Sequence, residues 1–559
     1  MRPTAVVLGM ICLIAMVGCS DDPPPSPAPA APSEAAGDGP VWLAPQAAQR
    51  GIDFVCLTEL NEKKWMPEII VGGGAAIDFD DDGWMDLYLL QASGEGGNRL
   101  LRNRGDGTFE DVTAGSGAGD AGYGSGIATG DVDGDGDVDM FITNLGGDVL
   151  LRNDGGGKFT DITHGSGLGD EEWATSASFF DADGDGDLDL YACRYVQWSP
   201  ETVLPCVGLG GGNIGTEGYC KPSRYPSTVD LFYKNDGTGR FELASEAAGI
   251  DAVTGYGLGV VAADYDGDGA TDLFVANDTM PDRLWRNLGD GTFEEVGFNM
   301  ACDRDNSGLA KAGMGVSVVD LNDDGLPDLI VCNIKGEADS LYINTGTHFR
   351  DVTSRAGISS ATFQFTRFGL GLVDFDNDGA LDYFAANGAV LADSKSPHQD
   401  KYAHVNLLMQ GRGDRVGFKP IAGMGGLDAL EPRTSRGAIF ADFDNDGGMD
   451  IVVLNRNAPA RFLGNVASDR GNWVLVDVRN AVGAPAIGAR VEVKLGDRTR
   501  TGFVRTDSSY LTARDHRVHV GLGEHDTIDE LTVTWPGGAA LSRRDVPANS
   551  VLRFDPPTP

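Results

Sequence analysis

The chain has 559 residues, 80 of them glycine, and a formal net charge of −41. A chain of this length buries a large core and normally divides into more than one unit. Its acidity argues against direct contact with nucleic acid or anionic lipid, both of which need clustered lysine and arginine. The acids sit in tight groups between apolar runs, a pattern opposed to disorder over most of the chain.

At the N-terminus, Arg2 precedes an apolar run from Ala5 to Val17 that ends at Met16-Val17-Gly18-Cys19. Residues 1–18 read as a signal peptide of lipoprotein type, because the small residue before Cys19 resembles a bacterial lipobox. Cys19 would then be the lipidated first residue; an ordinary signal peptide or an uncleaved anchor are the alternatives. Residues 19–40 form a Pro/Ala-rich tether with too little apolar surface to fold. The expected location follows: export across the inner membrane, then lipid anchoring to the cell envelope, at the outer membrane or cell surface. That anchor would be the only membrane contact.

Seven acidic clusters come next, each fitting D-x-[DN]-x-D-G-x-x-D. The first places Asp78, Asp80, Asp82 and Asp86 at its positions 1, 3, 5 and 9, and the second Asp131, Asp133, Asp135 and Asp139. The third has Asp181, Asp183, Asp185 and Asp189; the fourth has Asp264, Asp266, Asp268 and Asp272. In the fifth, Asp320, Asn322, Asp324 and Asp328 take these places, and in the sixth Asp374, Asp376, Asp378 and Asp382. Asp442, Asp444, Asp446 and Asp450 form the seventh. The clusters recur about every 50 residues, a period that belongs to propellers and solenoids.

The flanks decide between these. A short apolar strand precedes each cluster, such as Gly74-Ala75-Ala76-Ile77, and another follows, such as Leu87-Tyr88-Leu89-Leu90. A third strand ends in an Asn/Asp-Gly turn, as at Leu100 to Gly107. The fourth is Phe109 to Thr113, Phe159 to Thr163 or Phe349 to Thr353. Four short strands per repeat make a propeller blade, so residues 41–466 are expected to form seven blades. The last repeat runs out near Arg461-Phe462-Leu463. Residues 41–55 resemble a fourth-strand stretch, and are expected to complete blade 7 and leave no open sheet edge.

Carboxylates at positions 1, 3, 5 and 9, a backbone carbonyl at 7 and glycine at 6 suit a hard cation that takes six or seven oxygens. The loops lack the bidentate Glu of an EF-hand, since position 12 of the first is Leu89. Mg²⁺, which holds its waters, fits less well. Four carboxylates in nine residues repel one another unless a cation intervenes. About seven structural Ca²⁺ ions are therefore expected.

Of the cysteines, Cys206 and Cys220 share one irregular glycine-rich stretch and are the expected disulfide in an oxidising compartment. The pairing of Cys56, Cys193, Cys302 and Cys332 stays open.

The blades resemble FG-GAP/VCBS repeats, the kind found in the integrin α-chain propeller. Ile487-Gly-Ala-Arg490-Val, Ser508-Ser-Tyr510-Leu, His519-Val-Gly521-Leu-Gly523 and Val533-Thr-Trp535-Pro-Gly537-Gly resemble the ASPIC/UnbV domain. The pairing is similar to the cartilage acidic protein family and its bacterial relatives, over roughly residues 41–555. The resemblance implies an extracellular location and calcium binding, and no firm activity. Residues 470–555 independently read as a small β domain: Arg490 to Leu495 alternates strictly. Trp473–Val478, Thr501–Arg505, Arg517–Val520 and Leu531–Trp535 read as further strands. The fold class is all-β: a seven-bladed propeller with calcium-binding hairpin loops plus this domain.

No G-x-S-x-G or H-E-x-x-H element points to catalysis, and no catalytic residue is assigned. Gly210-x-Gly212-x-x-Gly215 matches a dinucleotide fingerprint by letters, without the strand–helix setting that gives it meaning. His516, His519 and His525 make a weak metal candidate without cysteine partners. Two long insertions, Tyr195–Thr228 and Ala389–Ala403, fall between second and third strands, on the face opposite the acidic loops. Insertions on one face of a repeat fold often bind. Trp198, Tyr219, Arg224 and Tyr225 are the candidate ligand-face residues, of types favoured at recognition sites. A self-packed loop capping the channel is the alternative. The expected function is a surface-tethered binding or adhesion module for a protein or glycan. An enzyme with a polar site at the channel mouth, or an assembly partner of another envelope protein, are the alternatives.

Overall fold

The computed structural model describes residues 39–557, apart from 59–63, 94–95, 170–171, 205, 207–217 and 414–415. The signal segment, Cys19 and most of the tether lie outside the described residues. Among those described, no helix is long and apolar enough to cross a membrane.

Seven four-stranded antiparallel units follow one another in sequence. Blade 1 runs Gly74–Ile77, Asp86–Leu89, Arg99–Asn103 and Phe109–Asp111. The innermost strands of blades 2 to 7 are Gly124–Gly130, Ala174–Phe180, Gly257–Ala263, Val316–Val319, Arg367–Val373 and Ser435–Ala441. Each packs on the next, and the blade 7 strand packs back on blade 1, so the ring is closed. In blade 7 the outermost strand is Leu43–Pro45, from the other end of the propeller sequence. It pairs antiparallel with Ala458–Asn465, Leu43 opposite Asn465. Apolar side chains alternate along the strands and meet between blades. Leu87, Leu101 and Phe109 of blade 1 share one core with Ile439, Phe443 and Phe462 of blade 7.

The C-terminal part holds two sheets. Asn472–Val478 pairs with Val518–Gly523 and, in parallel, with Ser550–Phe554. Arg498–Phe503, Arg490–Leu495, Thr527–Thr534 and Ala540–Pro547 form the second sheet. Val476, Val491, Val493, Leu531, Val533 and Phe554 fill the space between them.

Between these sheets' strands, residues 505–515 leave the domain and enter the propeller channel. Thr506 Oγ1 donates to Thr129 O of blade 2 (2.8 Å). The Asp507 carboxylate accepts from Ser178 Oγ of blade 3 and from Ala262 N of blade 4, both at 2.7 Å. Ser509 bridges to Val316 of blade 5, and its Oγ accepts from Leu370 N of blade 6 (2.9 Å). Thr512–Ala513 adds in parallel to the innermost strand of blade 1, while Thr512 Oγ1 donates to Ala438 O of blade 7 (3.2 Å). One hairpin thus binds all seven innermost strands. It runs from the acidic-loop end, where Thr129 lies two residues before Asp131, the first acid of the blade 2 loop, to the far end, where the Tyr510 ring packs 4.9 Å from Phe368. Glycines make the room. A Cβ at Gly73 would lie 2.2 Å from Ser125 O and 2.8 Å from Leu511 O.

Candidate metal centres

Each acidic cluster is the hairpin between the first and second strands of a blade, and its backbone is folded by its own carboxylates. At position 1, Asp131 accepts the N–H of Gly134 (2.8 Å) and of Gly136 (3.0 Å). Asp78, Asp181, Asp264, Asp320 and Asp442 each likewise take two loop N–H groups. In blade 6, Asp374 takes one, from Gly379. Position 6 is glycine because its φ is positive, +84° at Gly83, where a side chain is strained. The position-5 acids Asp82, Asp135, Asp185, Asp268, Asp324, Asp378 and Asp446 each accept the N–H two residues on, at 2.7–3.0 Å, an Asx turn.

The position-9 acids are the most buried. Asp86, Asp139, Asp189, Asp272, Asp328, Asp382 and Asp450 are at most 2 % exposed. One oxygen of each accepts a backbone N–H from the third strand of its blade, as Asp86 does from Asn103 at 2.6 Å. Burial pushes Asp86 up to about 9 and Asp139, Asp272 and Asp328 up to about 8, with the neighbouring carboxylates adding to the rise.

Positions 1, 3 and 9 converge. Oxygens of Asp78, Asp80 and Asp86 lie within 4.8 Å of one another. The same holds for Asp131, Asp133 and Asp139, for Asp181, Asp183 and Asp189, for Asp264, Asp266 and Asp272, and for Asp374, Asp376 and Asp382. In the fifth loop Asn322 Nδ2 donates to Asp324 Oδ2 at 2.9 Å. In the seventh, Arg50 pairs with Asp444 (2.6 Å) and Arg470 with Asp446 (2.7 Å). Arg102 reaches Asp80 at 2.5 Å, and Lys234 pairs with Asp183.

Charge balance is still incomplete. Asp80 Oδ1, Asp133 Oδ1, Asp183 Oδ1, Asp374 Oδ1 and Asp450 Oδ2 are buried with no hydrogen-bond partner. Orphaned carboxylate oxygens cost far more than the loop bonds recover unless something positive meets them. An all-oxygen set with orphaned anionic lone pairs fits a hard divalent cation such as Ca²⁺.

The C-terminal domain sits on this loop face, a placement the sequence did not disclose. Arg479 lies 3.2 Å from Asp81, and Arg498 lies 2.5 Å from Asp323. Arg517 donates to Asp442 O (2.9 Å) and Asn445 Oδ1 (2.7 Å), and Arg500 donates to Gly379 O. His519 Nε2 lies 3.1 Å from Gly447 O, whereas His516 Nε2 lies 3.1 Å from Asp477 Oδ1. These two histidines thus serve different partners rather than one metal. In the third and fourth loops Gly184–Gly186 and Gly267–Gly269 stay exposed.

On the far face, Cys206 and Cys220 are bonded to each other. The expectation that Trp198, Tyr219, Arg224 and Tyr225 together line a surface needs correction. Arg224 is exposed and Trp198 is partly so. Tyr219 and Tyr225 are only 7 % and 6 % exposed, because the insertion folds inward over the channel and packs them with Met66, Ile69 and the plug tip Tyr510-Leu511. Among the described residues Cys56, Cys193, Cys302 and Cys332 are buried free thiols.

Comparison with known proteins agrees with this architecture. The FG-GAP-like repeat model matches residues 78–142, 131–192, 223–275, 264–331 and 320–385, and the ASPIC and UnbV model matches 480–558. Human cartilage acidic protein 1 is 31% identical over 326 residues, 56% of this chain and 46% of that protein. The Xenopus tropicalis protein is 29% identical over 358 residues, 61% of this chain and 50% of its own. The chain spans about half the length of these curated relatives. Among solved structures, YCF48 bound to D1 peptide is 10% identical with a TM-score of 0.40, covering 74% of this chain and 97% of that one. The BP39L lectin from Burkholderia pseudomallei is 10% identical with a TM-score of 0.40, covering 69% and 93%. Neither likeness bears on what this chain binds.

Proposed function

The chain belongs with proteins that join FG-GAP-like repeats to a C-terminal ASPIC/UnbV domain, and from that premise we propose that it is a calcium-stiffened extracellular binding module. Calcium would be held at positions 1, 3, 5 and 9 of the seven loops, where it would supply the positive charge that the buried carboxylates lack. It is structural in this reading, since the loops are alike and the C-terminal domain makes polar contacts with four of them. The partner is a protein or glycan met on the opposite face, where the two insertions lie. Cys19, as a lipidated residue, would tether the module to the cell envelope.

The observation that carries this reading is the placement of the C-terminal domain. It occupies the loop face and its hairpin fills the channel, so the variable insertions are what the other face presents. The test is capture of envelope and extracellular fractions on the immobilised protein with calcium present, with loss of capture in Arg224→Glu and Lys221→Glu, both exposed on the blade 3 insertion. Capture that survives both changes and is lost with Asp185→Asn on the third loop would place the partner on the other face and overturn the reading.

A further inference from the structure

The seven loops are alike in their acids and unlike in their surroundings. Position 4 separates them. It is Gly134, Gly184 and Gly267 in the second to fourth loops, and Asp81, Asp323, Asn377 and Asn445 in the other four. Those four side chains stand at φ between +51° and +58°, a conformation most side chains avoid. They belong to the loops that make polar contacts with the C-terminal domain. Asp81 pairs with Arg479, Asp323 pairs with Arg498, and Asn445 accepts from Arg517.

In the sixth loop the domain holds the backbone instead. Gly471 N donates to Asp376 O and Gly523 N donates to Asn377 O, both at 2.8 Å, and Arg500 Nη1 donates to Gly379 O. A side chain at Gly521 would run into the Asp374 carboxylate. Under this grip Asp374, Asp376, Asn377 and Asp382 are between 0 and 9 % exposed, while Asp378 stays open to solvent. In the third and fourth loops positions 4 to 6 are all exposed.

The charge of the sixth loop is buried without balance. Position 3 pairs with Arg102 in the first loop, Lys234 in the third and Arg50 in the seventh. Asp376 has only the Gln410 amide, which donates at 3.0 Å and brings no charge. Among the described residues no arginine or lysine pairs with Asp374, Asp376, Asp378 or Asp382. Arg500 lies in the field of Asp374 and Asp378 yet spends its Nη1 on the Gly379 carbonyl. Of the seven first-position acids, Asp374 is the one with a buried oxygen, Oδ1, that has no hydrogen-bond partner. Such an oxygen needs a positive partner. Without a cation, four crowded carboxylates shielded from water repel one another, and the loop relieves them by opening. Opening moves the carbonyls of Asp376, Asn377 and Gly379, which are what the domain holds.

We propose that the cation of the sixth loop locks the C-terminal domain onto the propeller: it is the last of the seven to leave, and its departure frees the domain together with its plug. The inference rests on the calcium part of the proposed function and is independent of which face meets the partner.

The test takes the calcium-loaded full chain and mixes it with excess chelator. Calcium release is followed with an indicator dye, and hydrogen exchange is followed in peptides covering Gly471, Gly523 and residues 505–515. One equivalent should leave about tenfold or more slowly than the rest, and exchange in those peptides should rise only with that slow phase. Asp374→Asn should abolish the slow phase, whereas Asp181→Asn, at the same position of the exposed third loop, should leave it in place. Arg500→Ala keeps every acid of the sixth loop, and so carries the comparison if Asp374→Asn does not fold; it should speed the slow phase about tenfold. Release of every equivalent in one phase, exchange that rises with the fast phase, or a slow phase unchanged in Arg500→Ala would overturn the lock and leave the calcium reading standing. Protein that carries no calcium to release would overturn both.

Discussion

The side-chain amide of Asn103 donates to the carbonyl of Phe443 at 2.8 Å, across the seam where the first and last blades meet. Phe443 is position 2 of the seventh acidic loop, and Asn103 ends the third strand of blade 1. The same bond joins Asn153 to Phe79, Asn235 to Val132, Asn287 to Ala182, Asn344 to Tyr265 and Asn465 to Phe375. Six of the seven loops are thereby fastened to the following blade, so whatever rigidifies one of them is felt by its neighbour.

The first prediction concerns this ladder. Asn153→Ala leaves the Phe79 carbonyl without its donor, and should cost about 1–3 kcal/mol in urea unfolding. Blade 6 has Gly411 at the equivalent place. Gly411→Asn should not add a seventh rung, because a Cβ there would lie 2.4 Å from Leu381 O.

The plug makes the two domains one unit. Calorimetry of the calcium-bound protein should show a single transition, and Tyr510→Ala, which empties the packing against Phe368, should lower the stability of the whole by about 3–5 kcal/mol. Two separate transitions, with only one moved by Tyr510→Ala, would contradict this coupling.

The pH dependence has a defined contributor. His404 is held down to about 4, by burial first and then by Lys335 and Arg436. Its folded value lies below the unfolded one near 6.5, so the unfolded chain binds the proton more readily. The stabilising effect is complete above pH 6.5 and is lost as the pH falls toward 4. The difference in unfolding free energy between parent and His404→Gln, read from urea titrations, should therefore shrink by roughly 1–2 kcal/mol between pH 7 and pH 4.5.

Much of this architecture was legible because it repeats. Seven acid clusters with strands on either side carry their own register, and residues such as Asp86 and Gly83 are found by spacing alone. The plug was not legible. Residues 506–512 give no local sign that their partners are Thr129, Ser178, Val316 and Ala438, on strands far away in the chain. Asn103 was visible as a turn residue, while its bond to Phe443 depends on ring closure. The inward fold of the blade 3 insertion was hidden too, because Tyr219 and Tyr225 have the same composition whether they face a ligand or a core.

The central claim is that the seven loops hold calcium and that the ring depends on it. Elemental analysis of the folded, extensively dialysed protein, paired with thermal unfolding before and after a calcium chelator, tests it directly. The account predicts close to one calcium per loop and a midpoint that falls by about 10 °C or more on chelation, recovering when calcium is restored. Metal-free protein that unfolds at the same temperature with and without chelator would contradict it.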